Sequence, residues 1–269
     1  MGMSLKVIVG MLVLILTLPT AGANAALPNT ADPQNAAPQI TPLPKTDADY
    51  QIGGAARPAP NVGIVVRDRK AKPVKGHYNV CYVNAFQTQP DEAKFWKTRR
   101  GLLLRNGGQL VRDTEWDEHI LDIRTLKKRK RLARIVGRWI DQCAKDGFDA
   151  VEFDNLDSFA RSRKLIKPRH TKRFATLLVR RAHRAGLAAG QKNWSNFDGT
   201  RIGFDFAVAE ECGRYRECNQ YWRHYGSQVI AVEYRRKDFR QACRTHSDRF
   251  AVVLRDRDVS KNGRRAWCR

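Results

Sequence analysis

The sequence predicts an α/β fold, a (β/α)8 TIM barrel that forms a single domain. Short apolar runs rich in β-branched residues recur along the chain, and amphipathic helical patterns separate several of them. This alternation is typical of a parallel sheet with helical crossovers. Eight strand–helix units fit the roughly 220 residues that follow the N-terminal segment, as a barrel of this kind requires.

The predicted strands are the short apolar runs. Eight of them lie at residues 62–66, 78–83, 120–123, 150–154, 187–190, 204–208, 229–234 and 250–254, with residues 50–52 as a candidate ninth. Two helices are predicted from apolar residues spaced three and four apart, and they end near Gly147 and Gly186, as C-capping glycines indicate. Their apolar faces comprise Leu132, Ile135, Val136, Trp139, Ile140 and Cys143, then Phe174, Leu177, Leu178 and Ala182.

A doubly wound open sheet is the alternative architecture. Such sheets usually carry a glycine-rich phosphate loop after their first strand when they bind nucleotides. Arg67 and Asp68, which follow the run at residues 62–66, begin no such loop. The barrel is therefore the preferred prediction.

The N-terminal segment has the features of a secretion signal. Lys6 precedes an apolar stretch at residues 7–18 that is short for a membrane span, and Ala23 and Ala25 are suited to signal peptidase. An uncleaved anchor is the alternative. We expect residues 1–25 to be a signal peptide, residues 26–48 a flexible Pro- and Ala-rich tether, and residues 49–269 the barrel. The mature protein is then a monomer without a membrane span, secreted or associated with the cell wall.

The charge of the chain is strongly positive. Lys and Arg number 50 against 27 Asp and Glu, a net charge of +23, which favours an anionic partner such as nucleic acid, a cell-wall polymer or a membrane surface. A hydrophobic content of 42% argues against global disorder. Residues 127–140 contain seven Lys or Arg and no acid. This segment is either a patch for an anionic polymer or the solvated face of an amphipathic helix.

Six cysteines in an exported protein predict three disulfides. The sequence has no Cys-x-x-Cys pair, so a zinc site is not expected. Six cysteines allow 15 pairings, and the sequence alone does not select one. We expect Cys212 with Cys218, which closes a short ring, Cys243 with Cys268, which ties the C-terminus to the last crossover, and by elimination Cys81 with Cys143.

Polar side chains repeatedly follow the predicted strands, where a barrel places its chemistry. Strand alternation puts Glu152 and Asp154 on one face, and later strands end at Lys192, Glu210 and Glu233. Any one of these acids could instead cap a helix or pair with a cation. Their recurrence over consecutive strands favours convergent carboxylates, which glycoside hydrolysis requires: one acid protonates the leaving oxygen and the other attacks the sugar or activates water.

Motifs spread over residues 49–256 resemble glycoside hydrolase family 114, the endo-α-1,4-polygalactosaminidase family. Residues 147–157 read GFDAVEFDNLD, which is similar to the family's G-F-D-(A/G)-V-E-x-D-N-(V/L)-D signature. AHRAGL at residues 182–187, KN at 192–193, FDFAVAEEC at 204–212 and VEY at 232–234 follow in the family's order. The resemblance implies a (β/α)8 barrel with no cofactor and no metal.

The resemblance also implies that Asp154 and Glu210 are the catalytic pair. We expect Glu210 to be the general acid, because apolar strand neighbours favour its protonated form, and Asp154 to be the ionised nucleophile or stabilising carboxylate, in a reaction that retains configuration. Glu233 is a reserve catalytic candidate. The residues expected to bind substrate at the same mouth are Tyr82, Asp122, Glu152, Asn155, Asp157, Lys192, Asn193 and Glu233.

The predicted function is a secreted, endo-acting hydrolase of polysaccharides that contain galactosamine or N-acetylgalactosamine. The alternative is a non-catalytic secreted protein whose basic surface binds an anionic cell-wall polymer or nucleic acid. Paired carboxylates favour the enzyme, since a binding protein needs no two acids aimed at one point. The net charge favours an N-acetylated or anionic chain over a polycation, because like charges repel within a Debye length of about 8 Å.

Overall fold

The computed structural model describes residues 1, 2, 4, 10 and 39–268. The predicted signal peptide, apart from four isolated residues, and residues 26–38 of the predicted tether lie outside the described residues. The chain divides into two units, Met1–Ala36 and Ala37–Arg269, and the second contains the fold. Within the described residues, no helix combines the length and the apolar character needed to cross a bilayer.

A nine-stranded, mostly parallel sheet curls into a nearly closed barrel, which confirms the predicted fold class. Its parallel strands pair in sequence order. They are β1 (Asp47–Gln51), β2 (Val62–Asp68), β3 (Tyr78–Asn84), β4 (Ala150–Asp154), β5 (Ala188–Lys192), β6 (Phe206–Glu210), β7 (Val229–Glu233) and β8 (Ala251–Arg255). Strand β9 (Arg265–Trp267) runs antiparallel to β8, and its Trp267 indole donates to the Ala48 carbonyl of β1 at 2.8 Å, so the C-terminal segment helps to close the barrel.

The helices lie outside the sheet. They are α1 (Ala93–Lys97), α2 (Leu126–Asp146), α3 (Pro168–Arg184), α4 (Cys212–Tyr215), α5 (Cys218–Tyr225) and α6 (Arg236–His246), with 3-10 turns at Pro90–Glu92, Arg100–Leu102, Leu156–Phe159 and Gly199–Ile202. The Thr125 side chain caps the start of α2, and Gly147 ends this helix in the left-handed conformation, as its position predicted. The described connections from β1 to β2 and from β2 to β3 contain no helix.

The predicted strand at residues 120–123 is not part of the barrel, and this prediction was wrong. The run lies in an insertion between β3 and α2 that also contains the two-residue strands Arg105–Asn106, Gln109–Leu110, Arg112–Asp113 and Glu118–His119. Ile120 and Leu121 are fully buried and form only isolated bridges. A short apolar run has no periodicity that separates a barrel strand from a buried loop segment.

The eighth parallel strand of the barrel is β1 and not the run at residues 120–123. Strand β1 begins at Asp47, two residues before the predicted start of the barrel at Asp49. The preceding residues also contact the barrel: the Leu43 amide donates to the Gln228 side chain at 2.7 Å, and the Thr41 carbonyl accepts from the Tyr78 hydroxyl at 2.7 Å. The last part of the predicted tether therefore packs on the fold.

Two apolar layers hold the barrel together, and the alternation of each strand assigns its residues to one or the other. On β6, for example, Phe206 and Val208 face the barrel interior, whereas Ala207 and Ala209 face the helices. Phe206 fills the interior against β5, where a Cβ atom at Gly190 would collide with its ring. Only glycine at this position allows the two strands to pack around so large a side chain.

The three predicted disulfides are confirmed. Cys81 of β3 joins Cys143 of α2, Cys212 joins Cys218, and Cys243 of α6 joins Cys268.

Candidate active site

The mouth of the barrel is organised around the buried ammonium group of Lys192. This residue ends β5, and its side chain is 1% exposed. Its nitrogen lies 2.9 Å from the Tyr50 hydroxyl and 2.9 Å from Glu152, and 3.5 Å from both Asp154 and Glu210. Burial alone lowers the pKa of Lys192, but the three carboxylates more than offset it and hold the pKa well above its usual value. Lys192 is therefore a permanent cation.

Asp154 and Glu210 converge on this cation from β4 and β6. Two contacts of 3.5 Å to one nitrogen place Asp154 Oδ2 and Glu210 Oε2 no more than about 7 Å apart. The Tyr82 hydroxyl donates to Asp154 at 2.8 Å. Glu210 accepts from the Asn193 amide at 3.2 Å and from the Tyr234 hydroxyl. The predicted catalytic pair thus shares one point at the carboxyl ends of the strands.

The pKa values of the two carboxyl groups move in opposite directions. Burial raises the pKa of Asp154, and the nearby charge of Glu210 adds to this effect against the opposing charge of Lys192. Burial also acts to raise the pKa of Glu210, but Lys192 and the hydrogen bonds from Tyr234 and Asn193 prevail and lower it. This order reverses our expectation that Glu210 is the more readily protonated group. The apolar strand residues below Glu210 matter less than the three donors at its carboxylate.

Two neighbouring cavities open at this point. The inner one, about 100 Å³, is lined by Tyr82, Trp116, Glu118, Asp154, Asn155, Glu210, Tyr234 and Asp258, among others. The outer groove, about 620 Å³, includes Asn155, Asp157, Trp194, Glu210, Glu211 and Tyr215 in its walls. Glu210 and Asn155 therefore border both cavities, whereas Asp154 lines only the inner one. A larger cavity of about 810 Å³ in the insertion contains Lys94, Arg100 and Arg112 but no carboxylate pair of this kind.

The structure brings most of the predicted substrate-binding residues to the mouth. Tyr82 and Asn193 donate hydrogen bonds to the carboxylates of the predicted catalytic pair, and Asn155 and Asp157 line the cavities. Glu152 is on the predicted face but is fully buried one layer lower, where it bonds to Lys192 and Tyr50. Burial raises its pKa to about 7. Glu152 therefore anchors Lys192 and does not line a cavity.

Two predicted site residues lie elsewhere. Asp122 pairs with Arg124 and Lys128 at the start of α2, since the run that contains it belongs to the insertion. Glu233 points away from the interior, because Val232 occupies the inward position of β7, and it accepts from the Gly213 amide at 2.6 Å. Burial raises the pKa of Glu233 to about 7. Neither residue is among those that line the two cavities in the described part of the chain.

Three residues of the site were not predicted from the sequence. Tyr234 follows Glu233, and alternation puts it on the same face as Val232, which the structure shows to be the inward face, beside Glu210. Tyr50 lies in the candidate ninth strand and bonds to Glu152 at 2.8 Å. Glu118 comes from the insertion, for which the sequence gives no positional signal. It accepts from Asn84 at 2.8 Å, and burial raises its pKa to about 8.

One group of potential metal ligands occurs among the described residues, namely Cys212, Cys218 and Glu233. The two cysteines form a disulfide, so their sulfur atoms are not thiolate ligands. This group does not fit a metal ion.

A (β/α)8 barrel with two carboxyl groups converging at its mouth has the fold and site of a glycoside hydrolase. The chain belongs to glycoside hydrolase family GH114, whose model matches residues 29–269. It is similar to the structure of Aspergillus fumigatus Ega3 in complex with galactosamine, with 19% identity and a TM-score of 0.68 over 87% of this chain and 98% of that one. The glycoside hydrolase domain of PelA from Pseudomonas aeruginosa is also similar, with 16% identity and a TM-score of 0.58 over 82% and 98%. No curated protein sequence matches.

Proposed function

We propose that this protein is an exported, endo-acting hydrolase that cleaves galactosamine-containing polysaccharides with retention of configuration. The observation that carries the proposal is the convergence of Asp154 and Glu210 on Lys192, each at 3.5 Å. The two oxygens that contact Lys192 are at most about 7 Å apart, a bound that includes the roughly 5–5.5 Å separation of retaining enzymes and only the short end of the roughly 6.5–9.5 Å range of inverting ones. The galactosamine bound in the Ega3 structure supports the choice of sugar.

The positions of the two carboxyl groups assign their roles. A sugar in the inner cavity would present its anomeric carbon to Asp154, while the leaving group extends into the outer groove, which Glu210 also borders. We infer that Asp154 attacks or stabilises the oxocarbenium-like centre and that Glu210 protonates the leaving oxygen. The opposite pKa order in the free enzyme does not exclude these roles. Asp154 and Glu210 interact with each other and with Lys192, so a bound sugar can shift a proton from one carboxyl group to the other. It cannot change which of the two carboxyl groups faces the inner cavity and which borders the outer groove.

The mouth is acidic although the protein as a whole is basic. The acidic residues that line the two cavities are Glu115, Glu118, Asp154, Asp157, Glu210, Glu211, Glu217 and Asp258, against Arg161, Arg214, Arg257 and the Lys192 ammonium beside Asp154 and Glu210. Even with Glu118 largely neutral at pH 7, because its pKa is about 8, acids outnumber cations. Solvent and salt screen the distant surface cations, whereas these acids lie within contact distance of a bound sugar. The local charge therefore favours a free-amine galactosamine unit, in contrast to the preference for N-acetylated or anionic chains that the net charge predicted.

Export is part of the proposal and depends on the N-terminal pattern and on the three disulfides, which persist in oxidising compartments.

The experiment uses α-1,4-linked oligomers of galactosamine and of N-acetylgalactosamine, with products measured by mass spectrometry. We expect internal cleavage, faster on the free-amine chain. Asp154→Asn and Glu210→Gln should each lower kcat by at least about a hundredfold, as loss of acid–base or nucleophilic catalysis does. Glu233→Gln is the matched control: it removes a buried strand-end carboxylate that faces away from the mouth, and its activity should stay within about twofold. Intact oligomers of both kinds would refute the activity.

The two roles are separated with an aryl galactosaminide whose leaving group needs no proton. Glu210→Gln should then recover a large part of the wild-type rate, whereas Asp154→Asn should not. The reverse pattern would exchange the assignments.

A further inference from the structure

The outer surface of α2 and α3 carries a dense band of positive charge. These neighbouring helices pack side by side, and Arg181 of α3 pairs with Asp141 of α2 across their contact. We define the basic band as the exposed Lys and Arg residues of segments 126–146 and 163–184. They are Lys127, Lys130, Arg131, Arg134, Arg138, Lys145, Arg163, Lys164, Lys167, Arg169, Lys172, Arg173, Arg180 and Arg184.

Acids are scarce in the same segments. The two segments contain only two acidic residues, Asp141 and Asp146, and Asp141 forms an ion pair with Arg181. Within residues 39–268, no member of the basic band lies within ion-pair distance of a carboxylate; the ion pairs on these helices involve Lys128 and Arg181. An ordinary solvated helix face mixes both signs of charge. The band is therefore an uncompensated positive surface.

The charges act on one another across the two helices. Burial lowers the pKa of Arg129 on α2, and the charge of Arg173 on α3 lowers it further. Burial likewise lowers the pKa of His170, with further lowering by Arg169, Arg129 and Arg173. The positive side chains of both helices thus lie close enough to form one continuous field. At 1.5 Å per residue, the stretch of α2 from Lys127 to Lys145 gives the band a length of about 27 Å.

We propose that the basic band binds an anionic polysaccharide and thereby holds the enzyme on a polymer network. The band lacks exposed aromatic side chains: Phe174 is buried, and Trp139 is half-buried beneath the Arg69 guanidinium. Such rings are what single-stranded nucleic acid requires for base stacking. Eight exposed arginines and six exposed lysines along two adjacent helices instead match the spaced carboxylates of an acidic glycan.

The choice of an acidic glycan also depends on the proposed function. A free-amine galactosamine chain is a polycation, so it associates with acidic polysaccharides. A network that binds both holds the enzyme and its substrate close together.

The test measures binding of the purified protein to polygalacturonate, with neutral dextran and duplex DNA as comparisons. We expect binding to polygalacturonate that weakens with added salt, and none to dextran. Replacement of Arg131, Arg134, Arg169 and Arg173 by glutamine should weaken binding at least about tenfold, because four charge contacts are lost together. The matched control replaces Arg236, Lys237, Arg240 and Arg244 of α6, four exposed cations on the opposite side of the barrel, and should retain most of the affinity.

Equal losses in the two quadruple variants would overturn the assignment to the basic band, since net charge alone would then explain the binding. Tighter binding to DNA than to polygalacturonate at equal salt would replace the acidic glycan with nucleic acid. Cleavage of a short, soluble galactosamine oligomer should be unchanged in the quadruple variants. If this cleavage is absent from the wild type while the binding pattern holds, the proposed activity fails and the basic band stands.

Discussion

Replacement of Lys192 by methionine is the most direct perturbation of the site. Methionine has nearly the same length and shape, so it fills the space of Lys192 and mainly removes the charge. The ammonium group is 1% exposed and contacts Glu152 at 2.9 Å and Asp154 and Glu210 at 3.5 Å. Removing one partner from a buried ion pair typically costs about 3–5 kcal/mol. We expect a loss of that size in the free energy of unfolding at pH 8, together with loss of activity.

The effect should depend on pH. Without Lys192 the buried carboxyl groups are more readily protonated in the folded state than in the unfolded state, where a glutamate titrates near about 4.3. A folded state that binds more protons is stabilised as the pH falls. The difference in unfolding free energy between wild type and Lys192→Met should therefore be small near pH 5 and grow towards pH 8.

The measurement is urea-induced unfolding at pH 5 and pH 8, with Lys145→Met, at an exposed position of α2, as the control. The control should change the unfolding free energy by less than about 0.5 kcal/mol. A loss below about 1 kcal/mol for Lys192→Met at pH 8, or a larger loss at pH 5 than at pH 8, would refute the description of Lys192 as the counter-ion of this cluster.

Two further predictions concern the insertion and the disulfides. Burial raises the pKa of Glu118 to about 8, so this residue should make the unfolding free energy of the wild type fall as the pH rises from about 4.5 to 8. Glu118→Gln should reduce this dependence of the unfolding free energy on pH, measured by urea titrations at several pH values. An unchanged pH dependence would contradict a raised pKa at Glu118. Replacing Cys81 and Cys143 by alanine opens a loop of 62 residues and should lower the unfolding free energy by about 4 kcal/mol through loop entropy. The same replacement of Cys212 and Cys218, which are 6 residues apart, should lower it by about 2 kcal/mol. Equal losses in the two double variants would contradict the loop-entropy argument.

The sequence determined the class of fold and much of the site. The recurrence of apolar runs predicted the barrel, and strand alternation placed Glu152 and Asp154 on the same face, because alternate side chains of a strand point to the same side. The resemblance to the family indicated Glu210, and the cysteine count predicted three disulfides once export was assumed. Residues that share one face of a strand could thus be grouped from the sequence alone.

Only the tertiary structure decided features that depend on distance across the barrel. The same alternation sends Glu233 outward and Tyr234 inward, but the inward register of β7 is visible only once Val232 is seen in the interior. Glu118 reaches the site from an insertion whose path no periodicity describes. The pKa order of Asp154 and Glu210 is set by donors from three other positions, Lys192, Tyr234 and Asn193. Local pattern determines which side chains share a face, whereas the direction of that face and the charge state of each group depend on partners that only folding brings within a few ångströms.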